Sequence, residues 1–190
     1  MVAAILAAQA TGRGQVVEAA QVDGLASLMT LHYALHENGR WIDARAANMI
    51  DGGAPFYRCY ACADGRHVAV GAIEPQAFQA LCEGLNIDGW RYDPYDRSHW
   101  GLLAGALSEA FATRTRDEWA AIFAAGPACV TPVLSLTEAP LHPHNRARGT
   151  FAGDDNGVQP ASVPRFSATP AEAGAEGRFE TAEQVLERWG

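Results

Sequence analysis

The chain has 190 residues, enough for one large or two small domains, and 48% of them are hydrophobic, ample for a packed core. Its 14 basic and 22 acidic residues give a net charge of −8, which leaves no overall basic footprint for nucleic acid or an anionic membrane. Cys59, Cys62, Cys82 and Cys129 are too few and too scattered for a secreted disulfide framework, so a reducing cytoplasm is the expected compartment.

Met1 to Ala10, MVAAILAAQA, holds nine apolar residues in ten, without a basic leader region and too short to span a bilayer. It reads as a helix buried all round, whose partners are expected in an upstream part of a longer protein. The helix should stop at Thr11-Gly12, and Gln15 to Glu18 reads as a short buried strand. Asp23 to Asn38 carries Leu25, Leu28, Met29, Leu31, Ala34 and Leu35 at close to helical spacing, with Asn38-Gly39 ending it. Trp41 to Asp51 shows no period and reads as a connection.

The next segment, GGAPFYRCYACADGRHVAVGAIEPQ from Gly52 to Gln76, is the most informative. Gly52, Gly53 and Pro55 break any helix, Phe56 to Cys62 reads as a strand, and His67 to Ala72 as its return. Asp64-Gly65 between them predicts a hairpin closed by a type I′ turn. Pro75 at a first helical position then places Glu74 at the N-cap of a helix from Pro75 to Leu85. Glutamate caps poorly compared with Ser, Thr, Asp or Asn. Residue type and spacing leave two readings of Glu74 open: it offsets the positive end of the helix dipole, or its carboxylate is held for another partner.

Asp88 to Ser98 is aromatic, charged and turn-rich, and reads as a surface loop. Trp100 to Ala112 and Thr115 to Ala125 follow as helices, the second opened by a capping box of Thr115 and Glu118. Cys129 to Leu134 reads as a strand closing an α+β unit that starts near Ala54. Beyond it the chain is loop-rich through Pro143, Pro160, Pro164 and Pro170, and a last helix, Thr181 to Trp189, is capped by Thr181.

Several constellations invite a metal or phosphate reading and do not sustain it. Cys59 and Cys62, three apart in a strand, face opposite ways, and no second pair completes four ligands. His32 and His36 share a helix face without a glutamate in the HExxH position or a third ligand. Gly12-Arg13-Gly14 follows a helix rather than a strand, and Val17 stands where a dinucleotide fold needs its third glycine. His142-Pro143-His144 with Asn145 and Arg146 reads as a solvated loop able to touch an anion. No metal site is expected.

Taken together, GRGQVVEAAQVDG from Gly12, the Gly52 to Gln76 segment, CVTPVLSLTEA from Cys129, HPHNRARGTF from His142 and PRFSATP from Pro164 resemble the family III CoA-transferase superfamily, of the CaiB/BaiF type. Within it the central segment is most similar to the α-methylacyl-CoA racemase branch. The resemblance implies an α/β fold with an α+β small domain, cut from a two-domain protomer of an interlaced homodimer. Residues 1–53 would be the end of the large domain and a linker, 54–134 the small domain, and 135–190 a segment returning to the large domain. It further implies α-proton exchange on a 2-methylacyl-CoA thioester through an enolate, with CoA present only as part of the substrate and no separate cofactor.

In that branch a glutamate after the small-domain hairpin supports a catalytic histidine that works with an aspartate. Glu74 stands at the glutamate position, and Ile50, Tyr57 and Ile73 would line the acyl pocket. The aspartate and histidine match no residue here, so the chain is expected to be inactive alone, acting as a homodimer or with an N-terminal half. A CoA-transferase moving CoA between carboxylic acids, and a non-catalytic assembly module, are the alternatives. No nucleic-acid or membrane partner is expected.

Overall fold

The structure is a computed structural model, and it describes residues 1–89, 93–154, 157–171 and 181–189. The chain divides into two compact units, Met1–Pro132 and Val133–Gly190.

The first unit opens with three helices, α1 (Val2–Thr11), α2 (Gln21–Leu28) and α3 (Thr30–Glu37), none of which buries a residue. Within these residues α1 is uncovered, with Val2, Ile5 and Leu6 all exposed. Apolar composition states a demand for burial, and none of the described residues of this unit meets it. Gly12 does end α1, as a left-handed C-cap with φ 70° whose amide donates to the Ala8 carbonyl at 2.8 Å. The strand expected at Gln15 to Glu18 does not form; the segment pairs with no strand among the described residues, and Val16 stands 96% exposed. The single helix expected from Asp23 to Asn38 is two, broken at Met29. The Thr30 hydroxyl donates back to the Ser27 carbonyl at 2.6 Å, a local bond that competes with the helix ladder.

The structured centre of this unit is a three-stranded antiparallel sheet of β1 (Tyr57–Ala61), β2 (His67–Gly71) and β3 (Val130–Pro132), in that order. Register places Tyr60 opposite Val68, Cys59 opposite Ala69 and Val70 opposite Val130. Alternation then sends Tyr60, Val68, Val70 and Val130 inward and Tyr57, Cys59, Ala69 and Thr131 outward. Helices α4 (Pro75–Leu85), α5 (Trp100–Phe111) and α6 (Arg116–Phe123) cover the inner face, α5 against β1 and α6 against β2 and β3. The core is strongly aromatic. Tyr60 stacks on Phe111 at 5.2 Å, Trp119 meets Phe111 edge-on at 5.5 Å, and the Trp119 indole donates to the Phe111 carbonyl at 2.9 Å.

The hairpin is present but its turn is not type I′. Among Ala63, Asp64 and Gly65 only Gly65 has positive φ, 75°, with its amide on the Cys62 carbonyl and the Cys62 amide on the Arg66 carbonyl. That is a type I turn followed by a left-handed glycine, the three-residue solution. Asp64 keeps an ordinary φ because its carboxylate accepts from the Arg66 amide at 3.2 Å. The Ala63 amide in turn donates to the Arg114 carbonyl at 2.9 Å, tying the hairpin tip to the α5–α6 junction. The capping box of α6 forms as expected, with the Thr115 amide on Glu118 and the Glu118 amide on Thr115.

The second unit holds α7 (Pro143–Arg148), a hairpin of β4 (Phe151–Asp154) and β5 (Gly157–Pro160), and α8 (Ala182–Trp189). The sequence reading has only loop over the hairpin, although the Asn156-Gly157 pair is a hairpin signal. His142 to Arg146, expected as a loop, starts α7 instead. Asn145 is committed there, its side chain donating to the Ala139 carbonyl at 2.8 Å and its own carbonyl accepting from Thr150. Thr181 caps α8, accepting from the Gln184 amide while Gln184 returns a bond to the Thr181 amide at 2.8 Å. Among the described residues no helix is long and apolar enough to cross a membrane.

Candidate active site

The outer face of the sheet, turned away from α4, α5 and α6, forms a groove of about 500 Å³. Its floor is built from small residues, Ala69 and Gly71 on β2, with Tyr57 and Cys59 on β1 along one side. Tyr57 stands opposite Gly71 in register, its ring close enough that a Cβ on Gly71 would touch it at an ordinary 3.7 Å. Ile50 closes one end. Arg58 also lines the groove, but alternation sends its side chain to the inner face with Tyr60, whose ring centroid lies 5.6 Å from the guanidinium. The opening thus offers an apolar floor suited to a hydrocarbon chain.

Ile50 reaches the groove through a loop that the sequence shows only as a non-periodic connection. Asn48 is buried, its amide group bonded to both the amide and the carbonyl of Ile42. Asp51 then receives four hydrogen bonds, from the amides of Ala47, Asn48 and Gly53 and from the Asn48 side chain. Burial alone raises the Asp51 pKa, but these bonds outweigh it and hold the carboxyl below its ordinary 3.8. Gly53 is required by close approach: a Cβ on it would sit 2.6 Å from the Ala46 carbonyl carbon and oxygen. The fixed loop presents Ile50 to the groove.

Ile73 and Glu74 follow β2. Ile73 packs half-buried on the core, and its carbonyl accepts the Tyr95 hydroxyl at 2.8 Å, a contact spanning 22 residues. Glu74 is the N-cap of α4 with extended backbone (φ −72°, ψ 144°), and its carbonyl accepts the Phe78 amide at 2.9 Å. Its side chain is exposed, makes no cap hydrogen bond, and accepts none from any described residue. The backbone therefore does the capping work while the carboxylate stays uncommitted.

The structure brings Ile50 and Tyr57 together in the groove. Ile73 and Glu74 do not line it; they stand two and three residues past Gly71, which does. Arg58, Cys59 and Cys129 also line the groove, beyond the residues that the resemblance points to. For Cys59 the period-two alternation with Tyr57 was a sufficient signal. Cys129 required knowledge of the β2–β3 pairing, where its carbonyl accepts the Gly71 amide at 2.9 Å.

The other constellations resolve as packing. Cys59 is exposed and Cys62 buried, on opposite faces as the spacing requires. His32 sits edge-on to Trp41 at 4.8 Å, and a His36 ring nitrogen lies 3.2 Å from the Trp41 carbonyl, so the pair clamps one tryptophan.

Residues 1–177 match the sequence profile of CoA-transferase family III. The chain is 38% identical over 179 residues to the alpha-methylacyl-CoA racemase of Mus musculus, covering 93% of this chain and 47% of that protein. It is 39% identical over 163 residues to the alpha-methylacyl-CoA racemase of Homo sapiens, 85% of this chain and 43% of that one. It thus spans about half the length of these curated relatives. The crystal structure of a CAIB/BAIF family protein from Brucella suis shares the fold, with a TM-score of 0.66 at 18% identity over 89% of this chain and 46% of that one. With the profile covering nearly all of its residues, the chain belongs to CoA-transferase family III.

Proposed function

We propose that this chain supplies one side of the active site of a racemase acting on 2-methylacyl-CoA thioesters. The observation that carries this reading is the uncommitted carboxylate of Glu74, fixed by backbone bonds at a helix start just past the groove. The identity to proteins named alpha-methylacyl-CoA racemase supports it. In such a reaction the α-carbon loses its proton to a base on one face, leaving an enolate, and regains a proton from an acid on the other. Each group works best with a pKa near the working pH.

In this reading Glu74 accepts a hydrogen bond from a catalytic histidine and holds its ring in place, while an aspartate serves the opposite face. Ile50, Tyr57 and Ile73 contact the acyl chain, and CoA enters only as the thioester. Neither the histidine nor the aspartate is matched in residues 1–190, so catalysis requires an upstream half, in a longer homodimeric chain or as a separate partner. The exposed apolar side chains of α1, α2 and α3 favour such an assembly. Four free thiols fit a reducing cytoplasm.

The test is α-deuterium incorporation from D₂O into a 2-methylacyl-CoA, followed by mass spectrometry. We expect no exchange by these 190 residues alone and exchange once the upstream half is supplied. In the complete protein Glu74→Gln should slow exchange by about 10²-fold or more, the usual scale for a disturbed acid–base group. Exchange by the isolated chain overturns the dependence on a partner, and an unchanged rate in Glu74→Gln overturns the role of Glu74. A CoA-transferase reading is favoured by the family itself. Transfer of CoA between two carboxylic acids by the complete protein, without α-deuteration, selects it.

A further inference from the structure

A second cavity, of about 680 Å³, lies where the segment after α3 meets the turn before α5. It falls within the size range of small-molecule sites. Ile50 is the one residue it shares with the sheet-face groove, and Glu74 lines neither. Its walls carry four aromatic rings, from Trp41, Phe56, Tyr95 and Trp100, and two cations, Arg40 and Arg97. Among the described residues no acidic side chain lines it, although the chain carries a net charge of −8. Neither arginine makes an ion pair among the described residues.

The rings are held in place before any ligand arrives. Trp100 donates through its indole to the Pro94 carbonyl at 2.8 Å and meets Phe56 edge-on at 6.2 Å. Tyr95 is anchored to the Ile73 carbonyl and packs against Phe56 at 6.1 Å. Trp41 is clamped by His32 and His36. Arg97 spans the site: it donates to the Arg40 carbonyl at 3.3 Å, and its guanidinium lies 5.5 Å from the Trp100 ring centroid. One of its five donors is used in that bond, leaving the rest of a planar fork whose geometry matches a carboxylate.

We propose that this cavity binds a small aromatic carboxylate, its ring among the four aromatic side chains and its carboxylate on Arg97 and Arg40. Fixed rings and a half-anchored guanidinium reduce the ordering cost of binding. The uncompensated positive charge selects the anion over a neutral or cationic analogue. The site is independent of the role given to Glu74, so either can fail without the other.

The experiment titrates the chain with 2-naphthoate, using calorimetry for affinity and ¹H–¹⁵N spectra for location. 2-Naphthalenemethanol and 2-naphthylmethylammonium serve as uncharged and cationic controls. We expect one saturable site for the carboxylate, with the indole signals of Trp41 and Trp100 moving and that of the core residue Trp119 unmoved. The controls and the variants Arg97→Gln and Arg40→Gln should bind about tenfold more weakly or worse, the scale of losing a charged hydrogen bond. Arg97→Lys should fall between, since an ammonium keeps the charge and loses the fork. Lack of saturable binding, equal binding of the alcohol, Arg97→Gln with native affinity and native circular dichroism, or shifts confined to the apolar faces of α1 to α3 would each overturn the proposal.

Discussion

Asn48 and Asp51 hold one another from both sides: the Asn48 side chain donates to one carboxylate oxygen of Asp51 at 2.8 Å, and the Asn48 backbone amide donates to the other at 2.9 Å. Asn48 also closes on both polar groups of Ile42. Asn48→Ala strips these partners inside a buried site and is expected to cost about 2–3 kcal/mol, read from urea denaturation. Asn48→Asp should be destabilising as well, since it sets a second carboxylate against Asp51.

The loop gives a pH signature with a definite sign. The folded-state pKa of Asp51 is held below 3.8, so its contribution to stability is present above that value and is lost as pH falls through the lower folded value. Stability curves of the native chain and Asp51→Asn, measured from neutrality downward, should therefore converge in acid. Parallel curves would count against the assignment.

Two neighbouring glycines separate two kinds of constraint. Gly52 has φ +88° with nothing within 4 Å of an added Cβ, so Gly52→Ala meets only backbone strain, about 1 kcal/mol. Gly53→Ala drives a methyl to 2.6 Å from the Ala46 backbone, which has no rotamer with which to retreat. Thermal denaturation should show Gly53→Ala as much the more damaging, with altered amide signals from Ala46 to Asp51.

The capping box of α6 offers a second acid-sensitive site. Hydrogen bonds from the backbone and then the side chain of Thr115 hold the Glu118 pKa below its ordinary 4.5. The stabilisation is present above that value and disappears as pH falls through the folded one. Thr115→Ala should lose about 1 kcal/mol near neutrality, a typical cap, and only the part carried by the Thr115 hydroxyl on the Glu118 carboxylate should fade in acid, because the bond from the Glu118 amide does not titrate. Paired thermal melts at pH 7 and pH 3 measure both.

The four thiols should divide in two under native labelling with iodoacetamide. Cys59 and Cys129 are exposed and should react first. Cys62 and Cys82 are buried, and burial raises both thiol pKa values, that of Cys82 to about 11 with a further push from Glu83. Mass spectrometry after partial labelling should find the last two protected until the chain unfolds.

Legibility followed the range of the interaction. The α6 cap could be read because Thr115 and Glu118 are three residues apart and bond to each other's backbone. The outer sheet face could be read from the alternation of Tyr57 and Cys59, and the poor cap at Glu74 from Pro75 behind it. The Asn48–Asp51 loop has no period, because its order comes from side chains bonding to backbone, and so it looked structureless. The Tyr95–Ile73 bond links positions 22 apart across a helix, and no local pattern announces such a contact. Asp-Gly places the turn at Gly65 but fits both hairpin solutions, which only the Cys62–Arg66 closure separates.

The three opening helices carry a consequence for the chain in solution. They have ten, eight and eight residues and bury none of them. Helices shorter than about 12–15 residues are marginal in water without tertiary support. Their ellipticity at 222 nm is thus a gauge of occupancy: weak from α1 and α2 while their apolar faces meet water, with α3 tied to Trp41 through His32 and His36, and rising in step with whatever surface comes to cover them. The first 37 residues form a built-in spectroscopic reporter of assembly, readable without a label and separable from the sheet and its covering helices, whose signal should not change.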